Sequence, residues 1–87
     1  MYKNKNADGT LNICGNKVAN LRKDLIPKVS QRKLADMLQL KGLDIDKNAI
    51  QRIESGERFV TDIELKALSE SLDVTSDYLL GKSNIKK

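Results

Sequence analysis

A short run of polar side chains near the middle of the sequence has the chemistry needed to read DNA bases. These side chains are Lys47, Asn48, Gln51 and Arg52. Lys and Arg donate hydrogen bonds to O6 and N7 of guanine, and Asn and Gln can both donate and accept at adenine. On a helix, Ile50 and Ile53 would define a buried face, with the polar run on the solvent side. The same residue types are also typical of an ordinary solvated helix face, so residue type alone leaves both interpretations open.

The elements that must position this run are helices whose starts share one pattern. Four times an apolar β-branched residue precedes a capping residue, and another apolar residue lies five positions after the β-branched one. The capping residues are Ser30, Asp46, Thr61 and Thr75. An earlier helix is predicted to begin near Asn16 and to stop ahead of Pro27, because the residue before a proline avoids the helical region. The sequence therefore predicts five helices and no strands, an all-α fold.

The chain of 87 residues is long enough for one small domain with a single core. We expect residues 1–14 to form a tail that is partly ordered at most, residues 15–81 to form the folded domain, and residues 82–87 to form a basic tail. Residues 1–58 contain 12 basic and 7 acidic side chains, whereas residues 59–80 contain one lysine and five acids. This asymmetry indicates that the first part of the chain faces an anionic partner and the second does not.

The composition disfavours catalysis and metal chemistry. The chain has no histidine and a single cysteine, Cys14, without an identifiable base. We therefore expect no enzyme activity, no cofactor and no metal site. A lone cysteine fits a reducing compartment, and no apolar stretch reaches the length of a membrane span. The sequence thus predicts a soluble cytoplasmic protein.

Two segments carry a distinctive pattern, residues 50–56 (IQRIESG) and 74–81 (VTSDYLLG), and further characteristic residues lie at 21–23, 30–31 and 34–35. Together these segments, spread over about residues 15 to 81, resemble the Cro/C1-type (Xre) helix-turn-helix regulators. The resemblance implies a compact five-helix, lambda-repressor-like domain. In such a domain helices 2 and 3 form the helix-turn-helix, and residues 46–54 would be the recognition helix in the major groove.

The resemblance also implies roles for individual residues. The base-facing positions of the family match Lys47, Asn48, Gln51 and Arg52. The phosphate-contacting positions match Gln31, Ser55 and Arg58. A family ion pair matches Arg22 and Glu54, and would hold helix 1 against the end of helix 3.

One segment departs from the family pattern. The connection between helices 2 and 3, residues 39–45, is about five residues longer than the usual tight turn. We expect helix 2 to run about one extra turn to Lys41, with Gly42 as the residue that ends it. Leu43 and Ile45 are then expected to pack the lengthened connection.

The predicted function is sequence-specific binding of double-stranded DNA by a bacterial or phage-encoded, nucleoid-associated transcriptional regulator, a repressor. Because one recognition helix buries little surface, a homodimer on a two-fold symmetric operator is expected, with acidic helices 4 and 5 as the contact surface. Two alternatives stay open. One is an antitoxin-type module that binds a protein partner and also its own operator, and the other is a helical interaction domain without DNA affinity.

Overall fold

The computed structural model describes residues 7–86, within which the chain forms five α-helices and no β-strand. The helices are α1 (Gly15–Asp24), α2 (Gln31–Gln39), α3 (Lys47–Ser55), α4 (Asp62–Ser71) and α5 (Ser76–Leu79). The backbone at Leu25 is already extended, with ψ of 147°, in agreement with the stop predicted ahead of Pro27. The prediction of an all-α domain with five helices is confirmed.

All four predicted capping residues cap their helices. The side-chain oxygens of Ser30, Asp46, Thr61 and Thr75 accept hydrogen bonds from the backbone amides of Lys33, Ala49, Glu64 and Tyr78. Thr61 and Glu64 form a complete capping box, because the Glu64 carboxylate also accepts from the Thr61 amide at 3.1 Å. Each such cap stabilises its helix by about 1 kcal/mol, so the local sequence fixes where α2 to α5 begin.

The core is almost entirely aliphatic. The largest fully buried side chains are Val18, Leu34, Leu38, Ile45, Ile50, Ile53, Leu68 and Leu79. The helix α3 packs against both α1 and α2, and α4 packs against α2 and α5. Because Ile50 and Ile53 both point into this core, the opposite side of α3 is left to solvent.

The lengthened connection after α2 is a well-defined structure. The helix itself ends at Gln39, two residues before the predicted end, but a turn continues to Gly42, which has φ of +90°. The amide of Gly42 donates to the Gln39 carbonyl at 3.0 Å, and the amide of Leu43 donates to the Leu38 carbonyl at 3.2 Å. These bonds form a Schellman motif with Gly42 at its left-handed position. The predicted role of Gly42 as the stop is confirmed.

Two contacts fix the path of this connection towards α3. Ile45 is buried in the core, and Leu43 packs partly against it, as predicted. In addition, the Gln39 amide Nε2 donates to the Ile45 carbonyl at 2.8 Å. The extra residues therefore lead to a firmly placed start of α3.

Both ends of the described chain make contacts with the helical domain. The amide of Leu11 donates to the Gly56 carbonyl at 2.8 Å, and Cys14 is buried in the core. At the other end, the amide of Thr75 donates to the Lys86 carbonyl at 2.7 Å. Parts of the two predicted tails thus contact the domain, while residues 1–6 and 87 lie outside the described residues.

Candidate nucleic-acid interface

The outer side of α3 carries the four predicted base-facing side chains. Lys47, Asn48, Gln51 and Arg52 are all exposed, and none of them forms a side-chain hydrogen bond or ion pair with another described residue. Their amide and guanidinium groups are therefore available to an external partner. We call these four residues the outer stripe of α3.

The C-terminal end of α3 is held by a buried ion pair. Arg22 Nε donates to Glu54 Oε2 at 2.7 Å, and Arg22 Nη2 donates to Glu54 Oε1 at 2.9 Å, so the pairing is bidentate. The side chains of Arg22 and Glu54 are only 11% and 8% exposed. These hydrogen bonds raise the pKa of Arg22, although partial burial opposes the shift. The pair joins α1 to α3 and so helps to set the direction of the outer stripe.

Two further groups complete this arrangement. Arg22 Nη1 donates to the Val29 carbonyl at 3.0 Å, and Gln31 Nε2 donates to Glu54 Oε1 at 2.9 Å. We call Arg22, Gln31 and Glu54 the Glu54 cluster. The Glu54 carboxylate ties the end of α3 to α1 and to the first residue of α2, and Arg22 in addition holds the α1–α2 connection.

Gln31 therefore has an internal partner as well as a predicted external one. A side-chain amide has two N–H donors, and one of those of Gln31 is used by Glu54. The second can point away from Glu54. The pairing with Glu54 thus orients the Gln31 amide at the start of α2 and leaves its second N–H donor for another acceptor.

The two remaining predicted phosphate contacts differ from each other. Ser55 is exposed at the end of α3, and its Oγ donates to the Arg52 carbonyl at 3.2 Å. Arg58, in contrast, makes a bidentate ion pair with Glu64, with distances of 2.8 Å and 3.0 Å. The positive charge of Arg58 is therefore largely compensated within the domain.

The Arg58–Glu64 pair also changes the acidity of its carboxylate. Burial of Glu64 tends to raise its pKa, but hydrogen bonds from Arg58 and Thr61 outweigh this and hold the pKa below its usual value of 4.5. The same contacts raise the pKa of Arg58. This pair could not be predicted from the sequence, because its members lie six residues apart across a loop and a helix start.

Asn12 is a further structural residue that the sequence analysis missed. Its side-chain amide Nδ2 donates to the carbonyls of Ile53 and Arg58, at 3.1 Å and 2.8 Å, and its Oδ1 accepts from the Gly15 amide at 2.9 Å. One side chain thus accepts from the first amide of α1 and satisfies one carbonyl in α3 and one in the loop that follows it. Asn12 lies two residues before the N-cap position of α1, Cys14, so the sequence carries no ordinary capping signal for it, and only the fold brings α3 beside it.

The described residues hold no cluster of three or more metal-ligating His, Cys, Asp or Glu side chains. Residues 7–86 also contain no helix with both the length and the apolar character needed to cross a bilayer.

The geometry agrees with the comparisons with known proteins. Residues 21–79 match the Helix-turn-helix family, so the chain belongs to that family. Among solved structures, the chain is similar to the P22 c2 repressor protein, crystallised in complex with synthetic operator 9T in the presence of Tl+. The two share 28% sequence identity with a TM-score of 0.67, over 82% of this chain and 97% of the repressor chain. A search of curated proteins gave no match.

Proposed function

We propose that this protein is a transcriptional regulator that binds double-stranded DNA sequence-specifically, acts as a repressor, and reads the major groove with α3. The outer stripe carries this proposal. Four polar side chains with base-reading chemistry project from one side of a rigidly held helix and have no partner among the described residues. The similarity to a repressor in complex with its operator supports the same function.

The residues around the start of α2 support a backbone-contacting role. In helix-turn-helix domains the first helix of the motif lies across the phosphate backbone. Here that helix begins with Gln31, followed by exposed Arg32 and Lys33. The second N–H of the Gln31 amide can donate to a phosphate oxygen while Glu54 holds the first. Phosphate contacts from this end would fix the position of the domain on the duplex and leave base choice to α3.

Ser55 and Arg58 complete the proposed phosphate contacts, with unequal weight. Ser55 is exposed beside the outer stripe and has a hydroxyl to offer. Arg58 reaches a phosphate only with the N–H groups that Glu64 and the Phe59 carbonyl leave unused. We therefore assign Arg58 the smaller contribution of the two.

A homodimer is part of the proposal. One recognition helix with a few phosphate contacts buries roughly 600–1,000 Å², which is generally too little for tight specific binding. Two copies on a two-fold symmetric operator double the interface. The half-sites would then lie about 34 Å apart, one turn of the DNA helix.

Selection of bound duplexes from a random pool tests the proposal directly. We expect enrichment of a two-fold symmetric sequence, with binding that weakens with salt by a slope near −0.9 per neutralised phosphate. The control is a variant with alanine at all four outer-stripe positions, which should keep its fold but enrich no sequence. A wild-type protein that enriches nothing at low salt, or a control that enriches the same sequence, would contradict the proposal.

A further inference from the structure

Thr10, Leu11 and Asn12 lie against the C-terminal end of α3, and we call these three residues the N-terminal brace. The amide of Leu11 donates to the Gly56 carbonyl at 2.8 Å. The Thr10 side chain lies over the same glycine, since a Cβ atom at Gly56 would come within 2.7 Å of Thr10 Cγ2. Gly56 has φ of +82° and is buried, so the brace covers the residue at which α3 ends.

Asn12 closes the brace around the turn that follows α3. Its Nδ2 donates to the Ile53 carbonyl at 3.1 Å and to the Arg58 carbonyl at 2.8 Å. These two carbonyls lie on either side of Ser55 in the chain, so one side-chain amide spans the turn that carries this exposed hydroxyl. Because a side-chain amide has two N–H donors, both donors of Asn12 are used to hold the turn.

The brace is itself held by the start of α1. Asn12 Oδ1 accepts from the Gly15 amide at 2.9 Å, and Cys14 between them is buried in the core. A Cβ atom at Gly15 would overlap the carbonyl oxygen of Ile53, so the start of α1 and the end of α3 are in direct contact. These contacts fix the brace relative to the helix that it supports.

We propose that the N-terminal brace positions the turn after α3 on DNA, with Asn12 as the positioning residue for the phosphate contact of Ser55. This inference rests on the proposed function, since it names the residue that holds one phosphate-contacting turn in place. Thr10, Asn12 and Ser55 line the same polar depression, so the brace lies beside the hydroxyl that it positions. A side chain binds a ligand accurately only when its neighbours fix its position.

The brace and the Glu54 cluster support different contacts. The Glu54 cluster joins α3 to α1 and α2, whereas the brace contacts residues 53–58, the last turn of α3 and the loop beyond it. The Glu54 cluster lies within residues 21–79, which match the family, and the brace precedes that segment. Loss of the brace should therefore move the phosphate-contacting turn and leave the outer stripe in its place. Since phosphate contacts carry no base information, affinity should fall without a change in base choice.

Replacing Asn12 by alanine removes both donors that hold the turn. We expect the affinity for the duplex that wild type selects, and for a random-sequence duplex, to fall about 10-fold each, with an unchanged base profile. The matched control is Asn20→Ala, because Asn20 is an exposed asparagine of α1, and it should bind both duplexes as wild type does. Unchanged binding of Asn12→Ala, equal losses in the two variants, or an altered base profile for Asn12→Ala would each overturn the proposal.

A double-mutant cycle with Ser55→Ala separates positioning from a general loss of stability. If Asn12 acts through the turn, its replacement should cost about 10-fold in affinity in wild type but about 3-fold or less when Ser55 is already alanine, because coupled residues are not additive. A variant that is only less stable would lose the same factor in both backgrounds, and that result would contradict the positioning role. Urea denaturation establishes that each variant is folded under the binding conditions.

A milder variant keeps the proposal testable if Asn12→Ala folds poorly. Thr10→Ser removes the methyl group that lies over Gly56 and keeps the hydroxyl. We expect faster amide hydrogen exchange at Glu57 in the turn, unchanged exchange at Ala49 at the start of α3, and weaker binding to both duplexes, because the opening is local. Unchanged exchange at Glu57 or unchanged affinity would overturn the proposal.

The wild-type measurements separate this inference from the proposed function. If wild type bound neither duplex at low salt, the proposed function would fail and the role of the brace with it. If wild type bound both duplexes and Asn12→Ala bound them equally well, only the role of the brace would fail.

Discussion

The outer stripe of α3 and the Glu54 cluster use the same side-chain chemistry in opposite ways. Arg52 and Gln51 are exposed and have no partner among the described residues, whereas Arg22 and Gln31 both donate to one buried carboxylate. The guanidinium and amide groups are identical in kind. Only their surroundings differ. The exposed groups of the outer stripe can bind a ligand, whereas the groups of the Glu54 cluster hold the helix in place.

The difference shows how a small domain can present a helix accurately. A base-reading side chain is useful only when the helix that carries it has a fixed orientation. The Glu54 cluster links α3 to α1 and α2 through three hydrogen bonds, which Arg22 and Gln31 donate to the Glu54 carboxylate. The direction in which the outer stripe points thus depends on the hydrogen bonds that Glu54 accepts at the C-terminal end of α3.

The largest effect is expected from a substitution in the Glu54 cluster, which tests its role in stability. Replacing Glu54 by alanine leaves the buried guanidinium of Arg22 unpaired, and loss of one partner from a buried pair costs about 3–5 kcal/mol. We expect the free energy of unfolding to fall by about 3 kcal/mol in urea denaturation.

Arg52→Ala is the matched control for that measurement, because it removes a guanidinium-bearing side chain from the exposed side of α3. Its free energy of unfolding should stay within about 0.5 kcal/mol of wild type. If both variants lost similar stability, the distinction between the outer stripe and the Glu54 cluster would be wrong.

In DNA binding, we expect the outer stripe to determine base specificity and Gln31 of the Glu54 cluster to affect affinity alone. Arg52→Ala is expected to weaken binding to the selected operator by about 1–3 kcal/mol and to relax base choice at one position. Gln31→Ala should instead weaken binding to all sequences to a similar degree, because a phosphate contact carries no base information. Competition gel shifts against single-base operator variants measure both effects. An unchanged specificity profile for Arg52→Ala would contradict its base-facing role.

The smallest expected effect concerns the second ion pair and is a pH dependence. The pKa of Glu64 lies below its usual value of 4.5 in the folded chain, so its contribution to stability is present above about pH 5 and is lost as the pH falls through the folded pKa. The pair is partly exposed, and we expect less than about 1 kcal/mol.

Urea denaturation of wild type and Glu64→Gln between pH 3 and pH 6 would measure this contribution. The difference in unfolding free energy between the two proteins should shrink towards low pH. Asp8, whose pKa is also lowered, by hydrogen bonds from Thr10, contributes equally to both proteins. A difference that stayed constant over the whole range would show that the Glu64 carboxylate does not act through its charge.

The local elements of this protein could be predicted because their signals lie close together in the chain. A cap and the amide it satisfies are three residues apart, so Ser30, Asp46, Thr61 and Thr75 mark the helix starts without knowledge of the fold. Helical spacing likewise identified Ile50 and Ile53 as buried and left the outer stripe on the solvent side.

Contacts between residues far apart in the chain could not be predicted from capping signals or helical spacing. Asn12 reaches carbonyls more than 40 residues away, and its side chain looks from sequence like part of a tail. Arg58 has the residue type of a phosphate contact, yet the fold places Glu64 against it. The groove between Leu11, Val60 and Leu80 is lined by residues from separate parts of the chain, so no single stretch of sequence describes it.

By itself the sequence determined where the helices begin, which of their faces are apolar, and which side chains α3 presents to solvent, because capping and helical periodicity act over a few residues. The tertiary structure decided which polar side chains are already paired and where apolar side chains remain uncovered. Those properties depend on the three-dimensional packing of segments far apart in the chain, since burial and hydrogen bonding are set by whichever neighbours the fold supplies.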